Sequence, residues 1–525
     1  MRSIPPERWV RWSLAAIALC TLVIRAQVLS SFGFLFTGTD DTVIWNVAQD
    51  YARGIFREPY MYGQDYNPML EALLAAPFMR LGAHPWIVLP IVSTCIALMP
   101  FWSFALWHLR RREHIGALAF AAMPLLLPNG WDLSTTITRG MVQGLPFIAC
   151  MPWLIGERGS PWRWCCAACC VSIGVLCNPN ALVLAVFLYA PVLAATGRRA
   201  VFWAASILGV VPAAAYWWMG HRFFADSPWD IIHTIDPAEL GFNIDLFFKA
   251  ITSLDMHFKD VMPVWWPNGW LILIALGATV VLLWRSGKRS AAIGACAAMA
   301  LMFYALGTEK AQNGCASAFF PASRLFMAAP LLLAACIAAI AARARITSRL
   351  RIPLMIGVIL FSIVKGYRFP ETLEHELGEQ SCAMAPERPL SDVFARCLAI
   401  GDAARGSGAE VIAPIKWPEI RVDPRAHFRA YFDCYACSFI LNDAPPVYGP
   451  GYDRRSWMRA RFANSPAPRT LFVGGDPAGW ARAMRARPAI IDLSDAQCQL
   501  HIVSPDTLTI EKLTMQLGAD DDLWR

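Results

Sequence analysis

The chain has 525 residues; 56% are hydrophobic and only 16% charged, with 22 tryptophans and a mean hydropathy of +0.41. Soluble proteins carry roughly 25% charged residues, so a disordered chain, a small disulfide scaffold and a conventional cytosolic enzyme are all excluded. The net charge of +7 does not argue for nucleic acid, because no basic run is interleaved with aromatic residues as single-strand grooves require.

The apolar residues come in blocks, and blocks of about 17–25 residues span a bilayer. Eleven spans are predicted, near 10–30, 85–107, 115–128, 140–156, 162–177, 181–196, 200–219, 268–284, 290–307, 318–342 and 351–366. Several are shorter than a full span and extend into their flanks. The first lacks a following small-residue cleavage site, so it reads as a span and not a signal peptide.

With the N-terminus cytoplasmic, the inside segments 1–11, 108–114, 156–163, 197–199, 285–289 and 341–351 hold 17 Lys and Arg in 45 residues. The outside loops 37–84, 129–139, 178–180, 220–267 and 308–324 hold 9 in 127. This is the positive-inside bias. An odd number of spans then leaves everything beyond about residue 367 outside. The acids of the loops, from Asp40 to Glu309, also fall outside, so any chemistry is expected at the outer face.

The fold expected is a polytopic α-helical membrane domain over 1–366, followed by a mixed α/β domain over 367–525. In the latter, a helix is predicted from Leu390 to Ala404, ended by Gly406-Ser407-Gly408. Strand-like runs follow at 410–415, 470–474, 489–493 and 500–503. Ten of the 16 cysteines lie in or beside spans and read as small packing residues. Cys315, Cys382, Cys397, Cys434, Cys437 and Cys498 are placed outside, where an oxidising environment favours disulfides. Cys434 and Cys437 have redox or zinc spacing but no second pair, which favours a structural use.

The first outer loop, 37–84, carries the strongest chemical signal. Residues 42–55 follow a helical period, with Ile44, Val47, Ala48, Tyr51 and Ile55 on one face and Thr42, Asn46, Gln49, Asp50 and Arg53 on the other. They predict an amphipathic helix in the membrane interface, ended by Gly54. Asp40 and Asp41 stand at its N-terminus, where the helix dipole favours an ionised carboxylate. Capping requires one such residue, so the second is available for acid/base or metal chemistry.

The acidic pair, the interfacial helix and the following Tyr62-Gly63-Gln64-Asp65-Tyr66-Asn67-Pro68 resemble the first loop of the GT-C glycosyltransferases. These include the protein mannosyltransferases and the bacterial aminoarabinose and lipid-A-modifying transferases. Phe320-Pro321-Ala322-Ser323-Arg324-Leu325 is similar to an Arg-Tyr segment of that family, with Leu325 in place of the tyrosine and Pro330 matching a later proline. The likeness covers 1–366 in topology and is specific in the first loop; the C-terminal domain matches no motif.

The resemblance implies a transferase moving a sugar from a polyprenyl-phosphate donor to a glycan, lipid or protein acceptor at the outer face of a bacterial inner membrane. Asp40 or Asp41 would be the general base and Arg324 the leading phosphate contact. Gln64, Asp65 and Tyr66 would contact substrate, with a turn role equally open to Asp65. Arg139, Lys310, Arg222 and Lys259 are further cations near span ends. Metal use differs within the family, so a divalent ion is left open. His221, His233 and His257, in the outer loop 220–267, have no metal-ligand spacing. Arg25, inside the first span, is expected to be structural, either snorkelling or paired with an acid of the first loop.

Two other classes compete. A transporter or lipid flippase would show repeats and mid-span ionisable residues; here no repeat is found, and the polar residues gather in the outside loops rather than mid-span. A non-catalytic scaffold would need neither the acidic pair nor a phosphate-binding cation. No Walker, Rossmann or nucleophile-elbow motif is present.

Overall fold

The computed structural model describes residues 6–155, 160–227, 234, 236–265, 268–342, 348–379, 387–415, 445–446, 466–474, 477–486, 490–494, 500–503, 508–510 and 512–513. Each of the eleven apolar stretches forms a helix. Among the described residues, six helical segments are long and apolar enough to cross a membrane: Glu7–Gly33, Pro85–Arg110, Ala200–Asp226, Arg289–Leu306, Ala322–Ala341 and Ile352–Gly378. Shorter apolar helices are His114–Leu126, Leu145–Leu154, Pro161–Cys177, Ala181–Thr196 and Trp270–Arg285. Leu19, Leu22, Ile207, Leu208, Ile359 and Ile363 remain exposed on these helices, as side chains facing lipid do.

The chain divides into two compact units. The first comprises 1–34, 87–218 and 235–385; the second comprises 35–86, 219–234 and 386–525. In the first, the helix Ser348–Gly378 runs well past the apolar stretch that predicted it. Among the polar groups buried within this unit are Arg25, Asp132 and Lys365. Asp132 bonds Arg25 at 3.0 Å and Lys365 at 2.6 Å. Arg25 also donates to the Thr135 hydroxyl at 3.1 Å and lies over the Trp131 ring. Arg25 is thus buried against Asp132, an acid of the second outer loop and not of the first, and does not snorkel.

In the second unit, the helix Thr39–Ala52 buries Val43, Ile44, Trp45, Val47 and Ala48, one more face than the interfacial reading allotted. It stops where Gly54 adopts φ +76°, a backbone state that glycine enters without a Cβ penalty. Strand β1 (Phe36–Thr37) pairs antiparallel with β2 (Arg388–Pro389), placing Thr37 opposite Arg388. The Leu390 N–H donates to the Leu35 carbonyl at 2.7 Å. The helix Leu390–Ser407 follows and runs through Gly406, ending at Gly408 with φ +65°. Its Phe394 meets Trp86 edge-on, and Trp86 packs on Trp45.

Four further strands make one sheet in the order β3-β4-β6-β5: β3 (Val411–Ile415), β4 (Thr470–Gly474), β5 (Ile491–Asp492) and β6 (Leu500–Val503). β3 and β4 are parallel, and the other pairs antiparallel. Val411, Phe472, Trp480, Ile490 and Val503 form its core, with the helix Pro477–Ala486 supplying Trp480. Cys315 and Cys397 are each in a disulfide. Cys382, Cys434, Cys437 and Cys498 lie outside the described residues, as does His233.

Candidate active site

The acidic pair opens the Thr39–Ala52 helix. Gly38 is the N-cap, and having no side chain it cannot cap the helix itself. Asp41, at the third helical position, instead reaches back and accepts the Gly38 N–H at 2.9 Å. Half of a capping box is thereby made. Asp41 is buried, whereas Asp40 is half-buried. The two carboxylates therefore differ: Asp41 holds the start of the helix, and Asp40 offers more of its surface.

The other end of the helix is tied to the following loop. Asp50 accepts the Tyr62 hydroxyl at 2.7 Å and the Arg57 Nε–H at 2.9 Å. Burial, reinforced by the Asp50 charge, pushes the Tyr62 phenol far up from its ordinary value, so it stays protonated and donates. Tyr51 is pushed up to about 12 by burial, with Glu58 and Asp50 adding to the effect.

Residues 61–67 close on themselves through Met61 N–H to Asn67 carbonyl, 3.2 Å, with Gly63 and Asn67 at positive φ. Within this loop Gln64, Asp65 and Tyr66 are half-buried. Asp65 makes no turn bond of the expected kind; it accepts the Thr234 hydroxyl at 2.6 Å. The Gln64 Oε1 is buried and unmatched. In the second unit the structure thus gathers the acidic pair and the three loop candidates on one short stretch of chain.

In the first unit, three of the predicted cations, Arg324, Lys310 and Arg139, lie on or bond to residues 310–324. Arg324 sits in the 3-10 turn Ala322–Phe326 and donates to the carbonyls of Pro321 and Lys310, at 3.1 and 3.0 Å. Its guanidinium lies 4.6 Å from the centre of the Phe320 ring. Lys310 pairs with Glu239 at 3.2 Å, and Arg139 donates to the Phe319 carbonyl. Arg222 belongs to the second unit and pairs there with Asp226 on an exposed helix turn. Lys259 pairs with Glu376 at 3.0 Å, and Glu376 also accepts the Ala318 N–H at 2.6 Å.

Asp260, beside Lys259, is buried and accepts the Ser323 hydroxyl at 2.9 Å. Burial pushes its carboxyl up to about 6, with Lys259 pulling the other way and Glu376 adding to the rise. Sequence reasoning missed Asp260, Ser323 and Glu376 as a set. It also passed over Lys365, although a single lysine within an apolar span is itself a signal of a buried partner. Among the described residues, no three of His, Cys, Asp and Glu gather as a metal site.

No family model matches the sequence, and no curated protein matches it either. Two solved structures are similar in fold. The crystal structure of ArnT from Cupriavidus metallidurans bound to undecaprenyl phosphate superposes over 94% of this chain and 97% of that one, with a TM-score of 0.54. The apo crystal structure of the same protein gives 0.51 over the same shares. Sequence identity is 10% in both, so the likeness is one of fold. ArnT is an aminoarabinose transferase of the GT-C kind, the family that the first loop resembles.

Proposed function

We propose that the chain is a GT-C-type glycosyltransferase using a polyprenyl-phosphate sugar donor. The observation that carries this reading is the fold shared with undecaprenyl-phosphate-bound ArnT over 94% of the chain, in a sequence with an acidic pair at the start of its first loop helix. The acceptor is a glycan, lipid or protein at the outer face of a bacterial inner membrane. The N-terminus is cytoplasmic and the C-terminal α/β domain periplasmic, an orientation supported by the positive-inside bias.

In this reaction a carboxylate takes the proton of the acceptor hydroxyl as its oxygen attacks the anomeric carbon. We assign that role first to Asp40, because Asp41 is occupied with the Gly38 N–H. The bond from the anomeric carbon to phosphate oxygen breaks, and the departing phosphate gains charge. Fixed cations stabilise it, a role suited to the forked guanidinium of Arg324, with Lys310 and Arg139 as further contacts. Gln64, Asp65 and Tyr66 bind substrate.

The test is a mass-resolved comparison of surface glycans, glycolipids and polyprenyl-phosphate sugars. Cells would carry wild type, a deletion, Asp40→Asn or Asp41→Asn, with membrane expression checked in each. The expected result is loss of one sugar in the deletion and in an Asn variant, with its lipid-linked donor accumulating. Wild-type products in both Asn variants, alongside a deletion phenotype, would reject the catalytic role of the pair.

A further inference from the structure

Several polar atoms around Arg324 have nothing to bind. His257, in the short helix Leu254–Phe258, is 0% exposed, and neither ring nitrogen has a hydrogen-bond partner. It meets Phe326, two residues from Arg324, edge-on with ring centres 6.2 Å apart. Burial, with the Arg324 charge adding to it, presses the imidazole down to about 4. The ring is therefore neutral near pH 7, with one N–H donor and one acceptor nitrogen in either tautomer.

Asn180 gives its amide N–H groups to the Met141 and Arg324 carbonyls, at 2.8 and 3.3 Å, and its buried Oδ1 is left unmatched. Gln312 lies between Lys310, whose carbonyl takes Arg324 Nη2, and Gly314, where a side chain would run into the guanidinium. The Gln312 Nε2 is likewise unmatched. Folded proteins rarely bury polar atoms in this state, because desolvation is then uncompensated. Three such residues, on segments that each touch or adjoin one that touches Arg324, point to a ligand.

The mixture of groups indicates its chemistry. A bare phosphate offers only acceptors and would call for donors alone. The imidazole N–H and the Gln312 amide donate, while the second imidazole nitrogen and Asn180 Oδ1 accept. Two donors and two acceptors beside a fixed cation match a group bearing both phosphate oxygens and hydroxyls.

We propose that His257, Asn180 and Gln312 form a polar subsite beside Arg324 that binds the glycosyl-phosphate headgroup of the lipid donor, with the His257 N–H on a phosphate oxygen. This rests on the reading of the chain as a polyprenyl-phosphate-dependent transferase. Such a site binds at the expense of the unliganded fold, since its polar atoms are matched only when it is occupied.

The test uses the full chain in detergent, with undecaprenyl phosphate as the probe and two readouts, affinity and melting temperature. His257→Phe is expected to weaken binding about ten-fold or more, the loss of one hydrogen bond to a charged group. It is also expected to raise the melting temperature of the unliganded protein. Gln312→Met, at a half-buried position, guards against a folding defect in the first variant and is expected to weaken binding several-fold. Wild-type affinity in both variants, with binding lost in Arg324→Met, would overturn the subsite. Absence of binding by folded wild type would instead overturn the lipid-phosphate reading on which it rests.

Discussion

Asp132 and Lys365 meet at 2.6 Å, and neither side chain exposes more than 1% of its surface. Arg25 approaches the other carboxylate oxygen at 3.0 Å, so one acid stands between two cationic side chains deep in a membrane-type helical unit. Lys365 also donates to the Pro124 carbonyl at 2.9 Å, and the Asn129 amide donates to the Lys365 carbonyl at 3.2 Å. The cluster joins the first and last long helices to the short helix Asn129–Ser134.

Its arithmetic of charge sets an order of damage. Asp132→Asn leaves two cations facing each other without an anion, and breaking a buried pair costs about 3–5 kcal/mol. Lys365→Met leaves Arg25 and Asp132 matched and should cost clearly less. Melting temperatures in detergent would decide this. Equal losses in the two variants would mean that Lys365 holds the helices through its carbonyl contact and not through its charge.

The cluster also marks where sequence reading stops. Arg25 lies 107 residues from Asp132, and nothing local tells one acid from another as its partner. Periodicity and length, by contrast, are local: all eleven apolar stretches became helices, and β4 and β6 lie on the predicted runs 470–474 and 500–503. Gly54 ends its helix as its conformational freedom suggests, yet Gly406 does not, because only Gly408 takes the left-handed state. The acidic pair was legible as a pair. Which member caps was not, since the capping bond runs backward from Asp41 to the backbone of Gly38.

That bond separates the two carboxylates experimentally. Asp41→Ala removes the acceptor for the Gly38 N–H and should cost about 1 kcal/mol of stability. Asp41→Asn can keep it. Asp40→Asn should lower sugar transfer about 100-fold or more, the usual scale for losing a general base. Membrane preparations assayed for the product identified in cells would measure this. Full transfer by Asp40→Asn with loss in Asp41→Asn would reverse the assignment.

Asp260 makes a prediction about pH whose sign is opposite to that of an ordinary salt-bridged acid. Its carboxyl is raised from 3.8 to about 6, burial being the largest cause. The folded chain then holds a proton more tightly than the unfolded chain between those values, and stability falls as pH rises through that window. Below about pH 4 the penalty is absent. Above about pH 6 it has levelled off at roughly 3 kcal/mol, from two pH units at 1.4 kcal/mol each. Asp260→Asn, which keeps an oxygen for the Ser323 hydroxyl, should therefore raise the melting temperature at pH 7.5 and flatten its dependence between pH 4.5 and 7. Gly130→Ala supplies the steric counterpart: a methyl group there would run into the Asp260 carboxylate, lowering stability at every pH. A large loss of stability at pH 7.5 in Asp260→Asn would mean that Lys259 more than offsets the burial of the ionised carboxylate, and that its ionisation carries no net penalty.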